Sequence, residues 1–147
     1  MAHEFRAFVF ARKVTAMTQY NPVVYFPHLV KQKDQIEELI LQFLEENILN
    51  NPSINIQNFV LDIVLTQSLN DSKQLDVKIV ELNPLAEFTG TILFSWEKDR
   101  SILTNPNPQT VDFRMLQEVA RFGEQNAGPE WQESLSKLHT HYLGKGQ

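Results

Sequence analysis

Apolar side chains dominate two short stretches near the start of the chain. Residues 4–10 and 14–20 have the β-branched and aromatic content of strands, and residues 11–13 lie between them. These three residues include no glycine or asparagine, the residue types that favour a tight hairpin turn. The pattern predicts a β-hairpin with an unusual turn.

The apolar pattern changes to a helical period after an aromatic loop at residues 21–27. Apolar residues recur with the spacing of one helix face: Ile36, Leu39, Ile40, Phe43, Leu44 and Ile48. The opposite face carries glutamates, and the segment at residues 50–53 contains the turn signals that end a helix. The pattern predicts one long amphipathic helix.

A second pair of apolar stretches follows the helix. Residues 59–65 and 77–84 read as strands, and the polar residues 67–73 between them are typical of a turn. We therefore expect a second hairpin. Each of its strands carries an acidic residue within an apolar run, namely Asp62 and Glu81.

The acids of this second hairpin are candidates for binding a cation. Because strand side chains alternate between faces, Glu81 and Asn83 point to the same side. A turn centred between residues 71 and 72 places Asp62 directly opposite Glu81, within about 5 Å. Carboxylate and amide oxygens suit Mg²⁺. The alternative is that one of the acids lies at a strand end and meets a lysine or water.

The rest of the chain gives weaker signals. Residues 92–97 form a short apolar element, strand or helix, and residues 105–108 form a break. Residues 111–116 are expected to form a last strand, and residues 128–138 a short helix with Pro129 in its first turn. The predicted fold class is α+β, with a mostly antiparallel sheet covered by one long helix.

Composition restricts the class of protein. A chain of 147 residues with 42% hydrophobic residues suits a single domain over residues 1–147. The net charge of −5 argues against a nucleic-acid partner, and no apolar stretch is long enough for a membrane span. There is no cysteine and no visible secretory signal, so we expect a cytoplasmic protein.

Five motifs occur here in one order: Glu4-Phe5-Arg6-Ala7-Phe8-Val9, Ala16-Met17-Thr18-Gln19-Tyr20, the strand with Asp62, Glu81-Leu82-Asn83-Pro84 and Leu93-Phe94-Ser95-Trp96-Glu97. Together they resemble the C-terminal half of the cell division cycle protein 123 family, whose members are ATP-grasp proteins. The resemblance covers about residues 4–103 and leaves about residues 104–147 as a C-terminal extension. It implies the C-terminal subdomain of an ATP-grasp fold.

The resemblance also implies roles for individual residues. Asp62, Glu81 and Asn83 match the positions that hold Mg²⁺ against the phosphates of ATP. Arg6 matches a catalytic arginine expected to reach the terminal phosphate, because its planar fork binds phosphate oxygens in pairs. Gln19 matches a polar position near the cofactor and is the weaker candidate. ATP and Mg²⁺ are the implied cofactors.

The resemblance covers only part of an ATP-grasp site. The lysines and phosphate loop of the N-terminal subdomain do not precede Glu4, and no glycine-rich loop occurs elsewhere. The chain is therefore expected to supply half of a nucleotide site, which leaves open whether it is an enzyme. Three functions remain. One is an ATP-dependent assembly factor with the translation initiation factor 2 complex as partner, and another is part of a carboxylate–amine ligase. The third is a non-catalytic interaction domain without nucleotide binding.

Aromatic and histidine residues add two further alternatives. Tyr20, Tyr25, Phe26 and Trp96 form either a docking surface or part of the core. His139 and His141 lie two apart and read as a solvated tail rather than a metal site. In the sequence, His3 and His28 are isolated from each other and from this pair.

Overall fold

The computed structural model describes residues 2–71 and 73–118. Within them the chain forms five strands: β1 (His3–Phe10), β2 (Lys13–Gln19), β3 (Phe59–Gln67), β4 (Leu75–Pro84) and β5 (Asp112–Arg114). The strands make one sheet in the order β4-β3-β1-β2-β5. Both predicted hairpins are present, and the last strand is shorter than predicted.

The helical segment is divided, which corrects the prediction of one long helix. It consists of α1 (Pro27–Lys31), α2 (Lys33–Leu44) and a π turn (Glu45–Leu49), and a further helix, α3 (Trp96–Leu103), follows the second hairpin. Gln32 separates α1 from α2 because its φ of −105° and ψ of 16° lie outside the helical region. Ser95 caps α3 by accepting a hydrogen bond from the Lys98 amide, so the undecided element at residues 92–97 is the entry to a helix.

The sheet is mixed rather than uniformly antiparallel. β1 pairs antiparallel with β2 and β3, and β3 pairs antiparallel with β4, as the hairpins predict. β5 lies parallel to β2. The chain passes through α3 before it enters β5, and such a crossover allows two strands to run in the same direction.

One face of the sheet packs against α2. Side chains that alternate along β1 and β3 meet the apolar side of the helix, and the buried residues include Phe5, Ala7, Val9, Leu61, Ile63, Ile36, Ile40 and Leu44. The strand residues are two positions apart and the helix residues three to four apart, as expected for one face of a strand and one face of a helix. Burial of side chains this large contributes about 1.5–3 kcal/mol each. The core closes this face over β1 and β3, whereas Ile79 and Leu82 of β4 remain about half-exposed on it.

The opposite face is covered only in part. Phe8, Ala16 and Val60 pack there against Phe94 and Leu103, which come from the segment after β4 and from α3. The Phe8 and Phe94 rings meet edge to face with centroids 5.6 Å apart. This second cluster is small, and most of the remaining positions of the face are polar, with Val64 of β3 as an apolar exception.

The β1–β2 turn contains two residues in the left-handed region, Ala11 with φ of 49° and Arg12 with φ of 61°. Two such residues match the hairpin twist but are costly without glycine. The Arg12 guanidinium compensates by donating to the carbonyls of Ile48, Leu49, Ile54 and Ile56. The first two carbonyls belong to the end of the helical segment, where a cation is favourable.

The β3–β4 hairpin places Asp62 directly opposite Glu81, which confirms the predicted register at the acids. Closer to the turn, Ile63 pairs with Ile79, so Val80 is an extra residue in β4. This β-bulge shifts the register by one position. The turn is therefore centred on residue 71, half a residue before the predicted centre between residues 71 and 72. Beyond the bulge, the strands return to the predicted pairing of Asp62 with Glu81.

Two further predictions concern membrane-spanning helices and the C-terminal residues. No helix within residues 2–71 and 73–118 has both the length and the apolar character needed to cross a membrane. The short helix predicted at residues 128–138 and the pair His139 and His141 lie outside the described residues.

Candidate functional site

A row of polar side chains crosses the sheet on the face away from α2. Glu81 pairs with Asp62, Asp62 with Arg6, Arg6 with Thr18, and Thr18 with Arg114. Each of the five strands contributes one residue at the same level. We call these five residues the polar row.

The centre of the polar row is a buried ion pair. Arg6 Nε donates to Asp62 Oδ1 at 2.7 Å, and Arg6 Nη2 donates to Asp62 Oδ2 at 2.8 Å. The Arg6 and Asp62 side chains are 7% and 3% exposed. This two-pronged bond is the main cause of the raised pKa of Arg6, with Tyr20 and Glu81 adding to it more weakly. Arg6 therefore balances the charge of Asp62 within the fold.

Two further contacts hold Arg6 in place. Its Nη1 donates to the carbonyl of Gly90 at 2.6 Å, and its guanidinium lies 5.2 Å from the centre of the Tyr20 ring. Arginine has five N–H groups. Two of the five have no acceptor among the described residues. Because the Arg6 side chain is only 7% exposed, an anion would meet these two groups at its small exposed edge.

Glu81 and Asn83 occupy the outer end of the same face. Glu81 is exposed and Asn83 is half-buried. Asn83 pairs with Val60, which belongs to the second cluster, so both polar side chains share the face of Asp62. Neither side chain forms a hydrogen bond or an ion pair with any residue in the described part of the chain. Together with Asp62 they offer hard oxygen ligands of the kind that Mg²⁺ binds.

Gln19 is separated from the other four predicted site residues. It pairs with Phe5, one position away from the pair of Arg6 and Thr18, and therefore faces the core beside α2. Its amide donates to the carbonyls of Asn21 and Val24 and accepts from the Leu116 amide. The structure shows Gln19 anchoring the loop after β2, away from the acids.

The loop between β4 and α3 borders the site and is itself strongly constrained. Thr89 is buried and donates to the Pro84 carbonyl, while the Trp96 indole donates to the Thr89 carbonyl. Ile92 has a φ of 59°, which is unfavourable for a β-branched residue. Backbone strain of this kind is found where surrounding contacts over-determine the conformation. Gly90, which contacts Arg6, lies in this loop.

Arg114 is a site residue that the sequence analysis missed. It donates to both oxygens of Asp99 at 3.0 Å and to Asp112 at 3.0 Å, and it stacks 4.0 Å above the Phe94 ring centre. The hydrogen bond from Arg114 is the main cause of the lowered pKa of Asp99. Four consecutive charged residues at positions 97–100 are the sign of this pair in the sequence, but the partner of Asp99 in β5 is visible only in the fold.

The structure also brings together His3 and His28, which are isolated in the sequence. Their Nε2 atoms lie 3.3 Å apart, and the Phe26 ring meets both imidazoles edge to face. The pKa of His3 is lowered to about 4, first by burial and then by the nearby His28. This pair lies on the α2 face, at the start of β1.

Metal-binding groups are limited in the described residues. Residues 2–71 and 73–118 contain no cluster of three or more histidine, cysteine, aspartate or glutamate side chains with suitable spacing. The polar row contributes two acidic side chains, Asp62 and Glu81. Asn83 offers a third oxygen donor. Of the aromatic residues, Phe26 and Trp96 pack against the two clusters, while Tyr20 is 37% exposed beside Arg6.

Comparison with known proteins gives consistent matches. The model of the D123 family matches residues 1–137. "Translation initiation factor eIF2 assembly protein" of Xenopus laevis is 35% identical over 97 residues, which cover 66% of this chain and 26% of that protein. "Cell division cycle protein 123" of Candida glabrata is 29% identical over 123 residues, 82% of this chain and 32% of that protein.

Solved structures support the fold. C-terminally truncated Cdc123 from Schizosaccharomyces pombe superposes with a TM-score of 0.62 and 23% identity, covering 78% of this chain and 40% of that one. A second structure of Cdc123 from the same organism gives a TM-score of 0.59. This chain thus spans only about a quarter to a third of the length of the curated relatives named above. The family model covers nearly the whole chain, and on this match the chain belongs to the D123 family.

Proposed function

We propose that this chain contributes the metal- and phosphate-binding half of an ATP-grasp site. The observation that carries the proposal is the polar row, which aligns Arg6, Asp62 and Glu81 on three adjacent strands. Asn83 extends the same face by one pairing position. The Gly90 loop borders the face. Arg6 and Asp62 are buried, whereas Glu81 is exposed and Asn83 half-buried, so a charged ligand reaches the row from the Glu81 end.

Arg6 has two functions in this proposal. It fixes both oxygens of Asp62, so the carboxylate keeps one orientation. Hydrogen-bonded carboxylates of this kind are common among metal ligands, because the second contact holds the ligand in place. Its two remaining N–H groups would then donate to a phosphate oxygen that approaches along the row from the exposed Glu81 end.

Asp62, Glu81 and Asn83 are the residues that would hold Mg²⁺. When bound, the ion neutralises phosphate oxygens and favours phosphoryl transfer. Glu81 supports this assignment because its exposed carboxylate has no partner in the described residues.

The protein partner follows from the names of the relatives. Two of the most similar proteins are called eIF2 assembly proteins. We propose that this chain acts in the same process, with the eIF2 complex as its partner and ATP as its nucleotide. The cytoplasmic location predicted from the sequence would suit that role and remains a prediction.

The test is a calorimetric titration of the chain with ATP, with and without Mg²⁺. We expect saturable binding that requires Mg²⁺. Glu81→Gln should weaken it by at least about tenfold, the loss seen even for outer partners of a metal site. Glu81 is exposed, so this variant should remain folded.

Asp76→Asn is the matched control. Asp76 lies on β4 and pairs with Thr66, so it is on the same face as Glu81. It is several residues along the strand from the pair of Asp62 and Glu81. It removes one charge from the same strand, so a general electrostatic effect would appear in both variants. Binding that is equal in both variants, or that occurs without Mg²⁺, would contradict the proposal.

A further inference from the structure

The two histidines at the start of β1 and in α1 form a compact pair outside the polar row. His3 belongs to β1 and His28 to α1, so the fold joins residues that are 25 positions apart. The imidazole centroids are 5.2 Å apart and the ring planes are inclined by 56°. In this arrangement the two Nε2 atoms point at each other rather than to separate partners.

The distance between the two Nε2 atoms matches the distance between two imidazole nitrogens bound to one zinc ion. Zinc binds imidazole nitrogen at about 2.0–2.1 Å, and tetrahedral geometry then places two such nitrogens about 3.3–3.4 Å apart. The observed Nε2–Nε2 distance is 3.3 Å. A single ion could therefore replace the hydrogen bond between the rings with only a small displacement of either side chain.

We propose that His3 and His28 form a two-imidazole site for a borderline transition-metal ion, Zn²⁺ in the first place. Imidazole nitrogen is a preferred ligand of Zn²⁺, whereas Mg²⁺ prefers oxygen. The ion would thus be distinct from any Mg²⁺ at the polar row. Nothing in the proposed nucleotide function uses this pair.

A neighbouring aromatic ring prepares the pair for an ion. The Phe26 ring contacts both imidazoles, at 5.2 Å and 6.1 Å between centroids, and so restricts their rotation.

Both histidines are half-buried, and the described residues supply no third ligand of these types. Within residues 2–71 and 73–118, no cluster of three or more histidine, cysteine, aspartate or glutamate side chains could hold a metal. Two coordination positions are left to water or to a ligand from a partner. Structural zinc sites use four protein ligands, so this one is expected to exchange its ion.

The test is a zinc titration in the His139→Gln/His141→Gln background, which removes the other two histidines of the chain. Excess Mg²⁺ occupies oxygen sites during the titration. Zn²⁺ is preferred to Cu²⁺ because Cu²⁺ binds almost any nitrogen or oxygen site more tightly. We expect one zinc ion per chain, with affinity reduced at least about tenfold by His28→Gln.

Imidazole NMR resonances supply a second readout that needs no variant at the site. In the same background, the ring protons of His3 and His28 should shift together and saturate at one equivalent of zinc. Zinc affinity unchanged by His28→Gln would overturn the proposal. So would the absence of saturable binding, or ring resonances that stay in place at saturating zinc.

Discussion

At the scale of single residues, Arg6 decides the electrostatics of the sheet. Two acids facing each other predict either repulsion or a bound cation. The fold supplies the positive charge itself, because Arg6 of β1 pairs with Asp62 of β3. The acids lie in one hairpin, so their opposition was predictable from local pattern. Arg6 reaches Asp62 across 56 residues, and hairpin geometry gave no sign of it.

The buried pair predicts a specific set of stability changes. Asp62→Leu leaves a buried guanidinium without its partner, and Arg6→Met leaves a buried carboxylate. Each should lower the free energy of unfolding by about 3 kcal/mol. Urea unfolding of both variants measures the loss.

The double variant, Arg6→Met/Asp62→Leu, separates the pair from its surroundings. It leaves no unpaired buried charge, so it should be about as stable as either single variant or more stable. If its loss equals the sum of the two single losses, the side chains act independently and the ion pair as described is wrong.

His3 predicts a pH dependence of stability. Its pKa is about 4 in the folded chain and ordinarily 6.5, so below about pH 6.5 the unfolded state binds a proton that the folded state does not. The contribution of His3 to the free energy of unfolding should therefore fall as the pH decreases from about 6.5 to about 4.

Comparison with His3→Gln separates the contribution of His3 to the free energy of unfolding from the contributions of the carboxylates. Urea unfolding at several pH values should show the chain losing more stability than the variant as the pH falls through that window. A difference between the two proteins that stays constant with pH would show that His3 has the same pKa in both states.

At the scale of elements, the β1–β2 turn shows a local preference overruled by tertiary contacts. Ala11 and Arg12 are poor residues for a left-handed turn. The bonds from Arg12 to the end of the helical segment and to the loop before β3 compensate for this. Turn chemistry alone gave no reason to expect this tight geometry.

The turn gives a pair of opposite predictions. Arg12→Ala should lower the free energy of unfolding by about 2 kcal/mol, since bonds from a charged donor are lost. Ala11→Gly should raise it by about 0.5 kcal/mol, because glycine adopts a positive φ without strain. Thermal unfolding of both variants measures the effect. Destabilisation by Ala11→Gly would contradict the turn geometry.

The strands and helices differ in how far the sequence predicts them. The hairpins and the apolar face of α2 follow from periods of two and 3.6, which local pattern reveals. The parallel position of β5 and the bulge at Val80 do not, because each depends on a neighbouring strand. Gln19 was assigned to the site because it matches a polar position of the family. It lies next to Thr18 on β2, so its side chain points to the opposite face of the sheet.

At the scale of the whole molecule, the two faces of the sheet have different roles. The α2 face carries a large apolar core over β1 and β3, and the opposite face keeps a polar row beside a smaller cluster. Asp62, Glu81, Asn83 and Arg6 were identified from the sequence and lie together on the open face. Thr18 joins the row through its pairing with Arg6 in the β1–β2 hairpin, and Arg114 joins it only through the pairing of β2 with β5.

The most direct test of this account is to locate the metal by NMR, with Mn²⁺ and ATP in place of Mg²⁺ and ATP. Paramagnetic Mn²⁺ broadens the signals of nearby nuclei, and it prefers the same oxygen ligands. The account predicts that broadening is centred on Asp62, Glu81 and Asn83 and is lost in Glu81→Gln. Broadening centred on the glutamates of α2, with the polar row unaffected, would contradict it.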